Sequence, residues 1–222
     1  MNELILVLVA LAAILGALYL VNYLAGPLLV GKLNDTKSLP GRLASELPSG
    51  SPPTVVLGGN ALGSNLSGGS GPPGYRRLLL SDTVIDEHED ELGTVSALSV
   101  ALLDTYAYDV RILANLLRIE LLFGIVACAL HAAQTDLFRS LSAALAVVIG
   151  IIVGALVVFY GLYRLVAWRV YRADERAATY VGAENIITYL ESNHGRTESL
   201  LSAVVHLSPP TKTRIERLER AR

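Results

Sequence analysis

The chain has 222 residues, of which 52% are hydrophobic and only 17% charged, with a formal net charge of −2. Soluble domains average about 25% charged residues. The deficit is concentrated in three stretches, which points to lipid rather than to one large aqueous core. The near-neutral balance supplies no basic field for nucleic acid. The single cysteine, Cys128, excludes an intramolecular disulfide and a thiolate metal cluster.

The first stretch, Leu4 to Leu24, carries no charge and has the length a helix needs to cross the hydrocarbon. A cleaved signal peptide is the rival reading. It would want a basic start and a shorter apolar core, whereas Glu3 is the only charge before this run. Residues 1–31 are therefore expected to be an N-terminal transmembrane anchor and residues 32–53, rich in Pro, Gly and Ser, a linker. Thr54–Leu57 is a strand candidate, as are Asn60–Leu66, interrupted by Gly63, and Tyr75–Leu80. Gly68–Gly74 (GGSGPPG) reads as a turn. The acidic run Asp86–Glu91 suits the start of a helix, and a helical pattern extends from Asp90 to about Arg118.

Asp104, Tyr108, Arg111, Asn115 and Arg118 recur at intervals of four and three, which puts them on one face of that helix. They form either a polar seam that docks a partner helix or a face turned to water. Leu121–Ala133 is apolar but short. Extended back to Leu113 it reaches spanning length and takes in Arg118 and Glu120, whose charges are expected to snorkel to the interface. Leu141–Tyr163 is the clearest span and ends in aromatic residues followed by Arg164, Trp168 and Arg169, an interfacial pattern. The two runs, at about residues 113–168, read as a transmembrane hairpin with its tip at 134–140. A buried pair of soluble helices is the rival. Lys32, Lys37, Arg42, Arg111, Arg118, Arg164, Arg169, Arg172 and Arg176 fall on one side of three crossings. The positive-inside rule makes that side cytoplasmic and puts the N-terminus outside.

Ala173–Ser192 is expected to be helical with Ala177, Ala178, Val181, Ile186, Ile187 and Leu190 in its core. Leu200–Val205 is a short apolar stretch. Ser208-Pro209-Pro210-Thr211 leads into a basic helix, Lys212–Arg222, which Thr211 could cap.

Four segments, in order, resemble the HtpX-like membrane metallopeptidases, zincins related to the CAAX prenyl protease. Val55–Gly63 (VVLGGNALG) is similar to the family's strand with an Asn-Ala pair beside the cleft. Leu78–Leu92 (LLLSDTVIDEHEDEL) is similar to the strand and acidic lead-in to the catalytic helix. Tyr171–Leu190 carries the Ala-Asp pair of the second zinc helix at Ala173 and Asp174. Ser208–Glu219 (SPPTKTRIERLE) is similar to the closing helix. The resemblance implies a mainly α fold with a small β-sheet. It describes an integral membrane, zincin-like domain over residues 54–222, interrupted by the hairpin, with about three transmembrane helices in the whole chain.

The chemistry departs from the family. Its H-E-x-x-H helix places two histidines on one face to bind zinc, with the glutamate as base. In the register set by Leu92, those positions are Leu98, Ser99 and Leu102. In a second register the motif falls on Val100–Asp104, which also lacks both histidines and the base. The third ligand position is Val170. His88-Glu89 begins a similar motif, but Leu92 stands where its second histidine belongs. Zinc, the family's metal, is therefore not expected as a cofactor. The resemblance implies a pseudoprotease that binds other membrane proteins, such as an active relative, with Asn60, Ala61 and Leu62 as a peptide-binding strand. The rivals are a metallopeptidase with displaced ligands and an accessory subunit of a membrane complex.

Overall fold

The computed structural model describes residues 2–33, 36–37, 45, 47–48, 51–57, 67–70, 76–81, 85, 91–134, 141–192 and 199–222. The described chain is mainly helical: α1 (Asn2–Leu33), α2 (Leu92–Asp104), α3 (Ala107–Gln134), α4 (Leu141–Val181), α5 (Ala183–Ser192), α6 (Leu200–His206) and α7 (Thr211–Ala221). One small sheet accompanies them, with strands β1 (Thr36–Lys37), β2 (Thr54–Leu57), β3 (Ser67–Ser70) and β4 (Arg77–Ser81) in the order β1-β2-β4-β3. β2 and β4 run parallel, and both outer strands are antiparallel to their neighbours.

Three helices are long and apolar enough to cross a membrane, over Leu6–Ala25, Ala107–His131 and Ala144–Val181. Only 6%, 6% and 0% of their most apolar windows are buried, which decides against a hairpin hidden in a soluble core. Side chains such as Leu18, Val21, Leu122, Leu156 and Val157 stand exposed. An apolar surface of that extent is suited to lipid, where a helix satisfies its own backbone. The architecture is compatible with an integral membrane protein.

The 41 residues of α4 make a rod of roughly 60 Å, about twice the hydrocarbon thickness. The third span and the helix after it are thus one element. The helix expected at Ala173–Ser192 is divided at Gly182, where φ is +88°, a conformation that costs glycine little. All six expected core positions still meet in one cluster. Ala177, Ile186 and Leu190 are buried there with Leu98, Ala101, Ala173 and Leu218, and Ala178, Val181 and Ile187 pack against them. A second cluster joins α3, α4 and α6 through Ala114, Tyr163, Val166, Ala167, Ala203 and Leu207.

Four local expectations change. The long helix from Asp90 breaks at Thr105–Tyr106, with Tyr106 left-handed at φ 57°. Ser67–Ser70 is a strand rather than a turn, because pairing with β4 overrides the low strand preference of its glycines. Thr36–Lys37, within the stretch read as a linker, pairs with β2. Thr211 is already helical and Pro210 holds the cap position with no side-chain bond, so the Thr211 hydroxyl does not cap. The strand expected at Asn60–Leu66 lies outside the described residues.

Open space surrounds Gly182, so an added methyl group would meet no neighbour. Gly182→Ala is expected to destabilise the folded chain by about 1 kcal/mol from backbone strain alone. The measurement is thermal unfolding in detergent, and an unshifted Tm would count against this hinge.

Candidate functional site

The positions that the resemblance led us to expect as degenerate zinc-ligand positions are filled and divided. Leu98 and Leu102 lie on the side of α2 that faces α4, packed with Ala101, Ala173 and Ala177. In the second register Val100 turns the other way, against Leu78 and Leu80 of β4. The first register is therefore the one directed at α4. Ser99 is buried and shares a side-chain hydrogen bond with Tyr108. Val170 packs in the other cluster, beside Tyr163, Val166 and Ala167. Leucines and alanines thus occupy the space between α2 and α4. Among the described residues no three His, Cys, Asp or Glu side chains are grouped to hold a metal. His88, Glu89, Asn60, Ala61 and Leu62 lie outside the described residues.

Beside this apolar fill stands a buried charge. Asp174 on α4 is 2% exposed. Arg214 on α7 donates to it through both Nε, at 2.8 Å, and Nη2, the bidentate geometry that a guanidinium offers a carboxylate. Burial alone would favour the neutral form of Arg214, but Asp174 outweighs it and holds the Arg214 pKa above its ordinary value. Tyr189 on α5 lies nearby, its hydroxyl pushed up chiefly by burial and then by Glu91. Two sequence segments forty residues apart, each similar to a family motif, meet in this one pair.

A second polar centre closes the α2–α3 turn. A helix C-terminus leaves carbonyls without intrahelical donors. Here Arg76 Nη1 donates to the Leu103 carbonyl at 2.8 Å and Arg169 Nη1 to the Thr105 carbonyl at 3.2 Å. Thr105 Oγ1 donates back to the Ala101 carbonyl, and the Arg76 guanidinium lies 4.2 Å from the Tyr106 ring centre. Arg76 Nη2 also reaches Asp109 at 3.0 Å, and the Tyr23 hydroxyl of α1 donates to the same carboxylate. The first-turn position of Asp109 in α3 suits the helix macrodipole. α1, the segment leading into β4, and α3 are tied at this point.

The Asp104–Arg118 stripe is split by the same turn. Asp104, on α2, accepts from the Tyr180 hydroxyl at 2.9 Å and lies 4.0 Å from Arg176. Tyr108, Arg111, Asn115 and Arg118 are on α3. Arg111 donates to the His206 carbonyl at 3.2 Å and Arg118 to the Val205 carbonyl at 2.8 Å. These two cations serve the C-terminal end of α6, as the macrodipole favours. Arg111 and Arg118 are thus engaged by α6, whose own start is capped by Ser199 accepting from the Ser202 amide. Sequence reasoning missed Arg76, Tyr23 and the role of Asp109. The one available signal was an acidic residue in the first turn after a break, and no periodicity marked that break.

No family model matches the chain, and no curated protein or solved structure matches it significantly.

Removing one partner of a buried ion pair leaves a charge without compensation, at a cost of about 3–5 kcal/mol. Arg214→Met or Asp174→Leu alone is expected to lose that much, while the double variant recovers a large part. Equilibrium unfolding of the three variants measures it, and additive losses would deny the coupling.

Proposed function

We propose that this chain is a membrane-embedded, zincin-like pseudoprotease: a scaffold that binds other membrane proteins and carries no catalytic metal. One observation carries the reading. The Asp174–Arg214 pair unites the two segments that resemble the second zinc helix and the closing helix of the HtpX-like family. In the space beside it, leucine side chains occupy the positions where ligands would project. A buried ion pair joining those two segments, next to a ligand space filled by leucines, is what a family member that kept its fold and lost its chemistry would have.

Binding would use the sheet. β3 is an outer strand, and α2 runs close beside it. Main-chain groups of an outer strand can pair with an extended peptide. In the bilayer, the cationic flanks of the spans orient the β-sheet, α5 and α7 toward the cytoplasm and the hairpin tip outward.

The purified full chain is expected to bind a fluorescein-labelled extended peptide, read by anisotropy, and to return it intact. Metal analysis after dialysis is expected to find no stoichiometric zinc. One zinc per chain, or cleavage that a chelator abolishes, would sink the proposal and favour the displaced-ligand enzyme.

Orientation has its own test in intact cells with Cys128→Ser as background. An impermeant maleimide is expected to label Asp136→Cys from outside and Lys212→Cys only after lysis. The reverse pattern would invert the topology.

A further inference from the structure

The side of α1 that faces α3 leaves a groove of about 400 Å³. Its walls are apolar, with Leu20 on α1 and Ile112, Leu113 and Leu116 on α3. Its other end is polar, with Tyr23, Asp109 and Arg169. We propose that this groove is a binding site for an anionic phospholipid, with an acyl chain along the leucines and the phosphate against Arg169.

Depth supports this occupant. The uncharged run of α4 ends at Tyr163 and Arg164. Arg169 is five residues farther along the helix, about 8 Å by the helical rise, which is the depth of the headgroup layer. Leu116 lies seven residues along α3 from Asp109, about 10 Å toward the hydrocarbon. The groove therefore runs from headgroup level into the acyl region, as one lipid does.

Charge selects the headgroup. Asp109 is already matched by Arg76 and by the Tyr23 hydroxyl. Arg169 has no carboxylate partner among the described residues. Its Nη1 is bound to a neutral carbonyl, and its Nε is buried without any acceptor. The polar end thus carries one uncompensated positive charge and an unused donor. A buried donor without a partner is costly. A guanidinium matches phosphate oxygens in geometry and charge. A zwitterionic lipid brings its own cation to the same place and gains less.

The experiment uses the full chain reconstituted in an equimolar mixture of phosphatidylglycerol and phosphatidylcholine. Native mass spectrometry is expected to find phosphatidylglycerol retained in preference. Arg169→Gln should reduce that preference about tenfold, the size of one charge-assisted hydrogen bond, while Arg164→Gln should leave it. Equal retention of both lipids, or equal effects of the two variants, would overturn the site. A measurement without substitution uses Trp168, the only tryptophan in the chain, which stacks with Arg169 at 4.7 Å. Chain-brominated phosphatidylglycerol should quench it more than brominated phosphatidylcholine at equal mole fraction, and equal quenching would also overturn the proposal. A large excess of inorganic phosphate is expected to leave the retained lipid in place. Displacement would assign the site to a free anion instead.

Discussion

A carboxylate buried in an apolar core survives only with a cation beside it, and Asp174 obtains one from the last helix of the chain. That requirement sets where α7 lies. With Arg214 drawn onto Asp174, Leu218 and Ile215 come down on the cluster around Leu98, Ala177 and Leu190. The core between α2 and α4 is closed by this act. Its packing sets large side chains against small ones, with Leu98 and Leu102 over Ala173 and Ala177. Small residues on α4 let α2 approach closely, and the leucines occupy the room so created. The same pair joins two segments that composition alone would leave unrelated.

The apolar helices are part of this construction rather than appended to it. α4 begins among exposed apolar residues and ends in the core against α2, α5 and α7, without a break. Arg76 and Arg169 supply donors to the carbonyls at the end of α2 and so permit the sharp turn into α3. Through Asp109 that turn holds Tyr23 of α1. Arg111 and Arg118, which look costly in a membrane span, satisfy the end of α6. Arg76, Arg111, Arg118 and Arg169 thus each reach a backbone carbonyl, and Arg76 also reaches a carboxylate, while the Nε atoms of Arg76 and Arg169 remain without an acceptor among the described residues.

Much of the helical framework was legible in the sequence because it depends on local composition. The three apolar stretches named their own helices. The spacing of Ala177, Ala178, Val181, Ile186, Ile187 and Leu190 gave a buried face that the structure retains across a helix break. The break itself was not legible. Gly182 stands in an otherwise regular pattern, and a glycine within a helix often continues it. Likewise Thr105 and Tyr106 are ordinary helical residues by preference. Their turn exists because Arg76, nearly thirty residues earlier, captures the Leu103 carbonyl.

The sequence by itself determined where apolar surface accumulates, how it repeats along each helix, and that no H-E-x-x-H motif is present. Those properties belong to single residues and their near neighbours. Tertiary structure alone decided that Leu98 and Leu102 face α4 while Val170 joins a different cluster. It also decided that Asp104 is parted from the rest of its stripe, and that Asp174 meets Arg214. Each of these depends on which distant elements pack together, and burial, not spacing along the chain, sets the free energy of leaving a charge or a carbonyl without its partner.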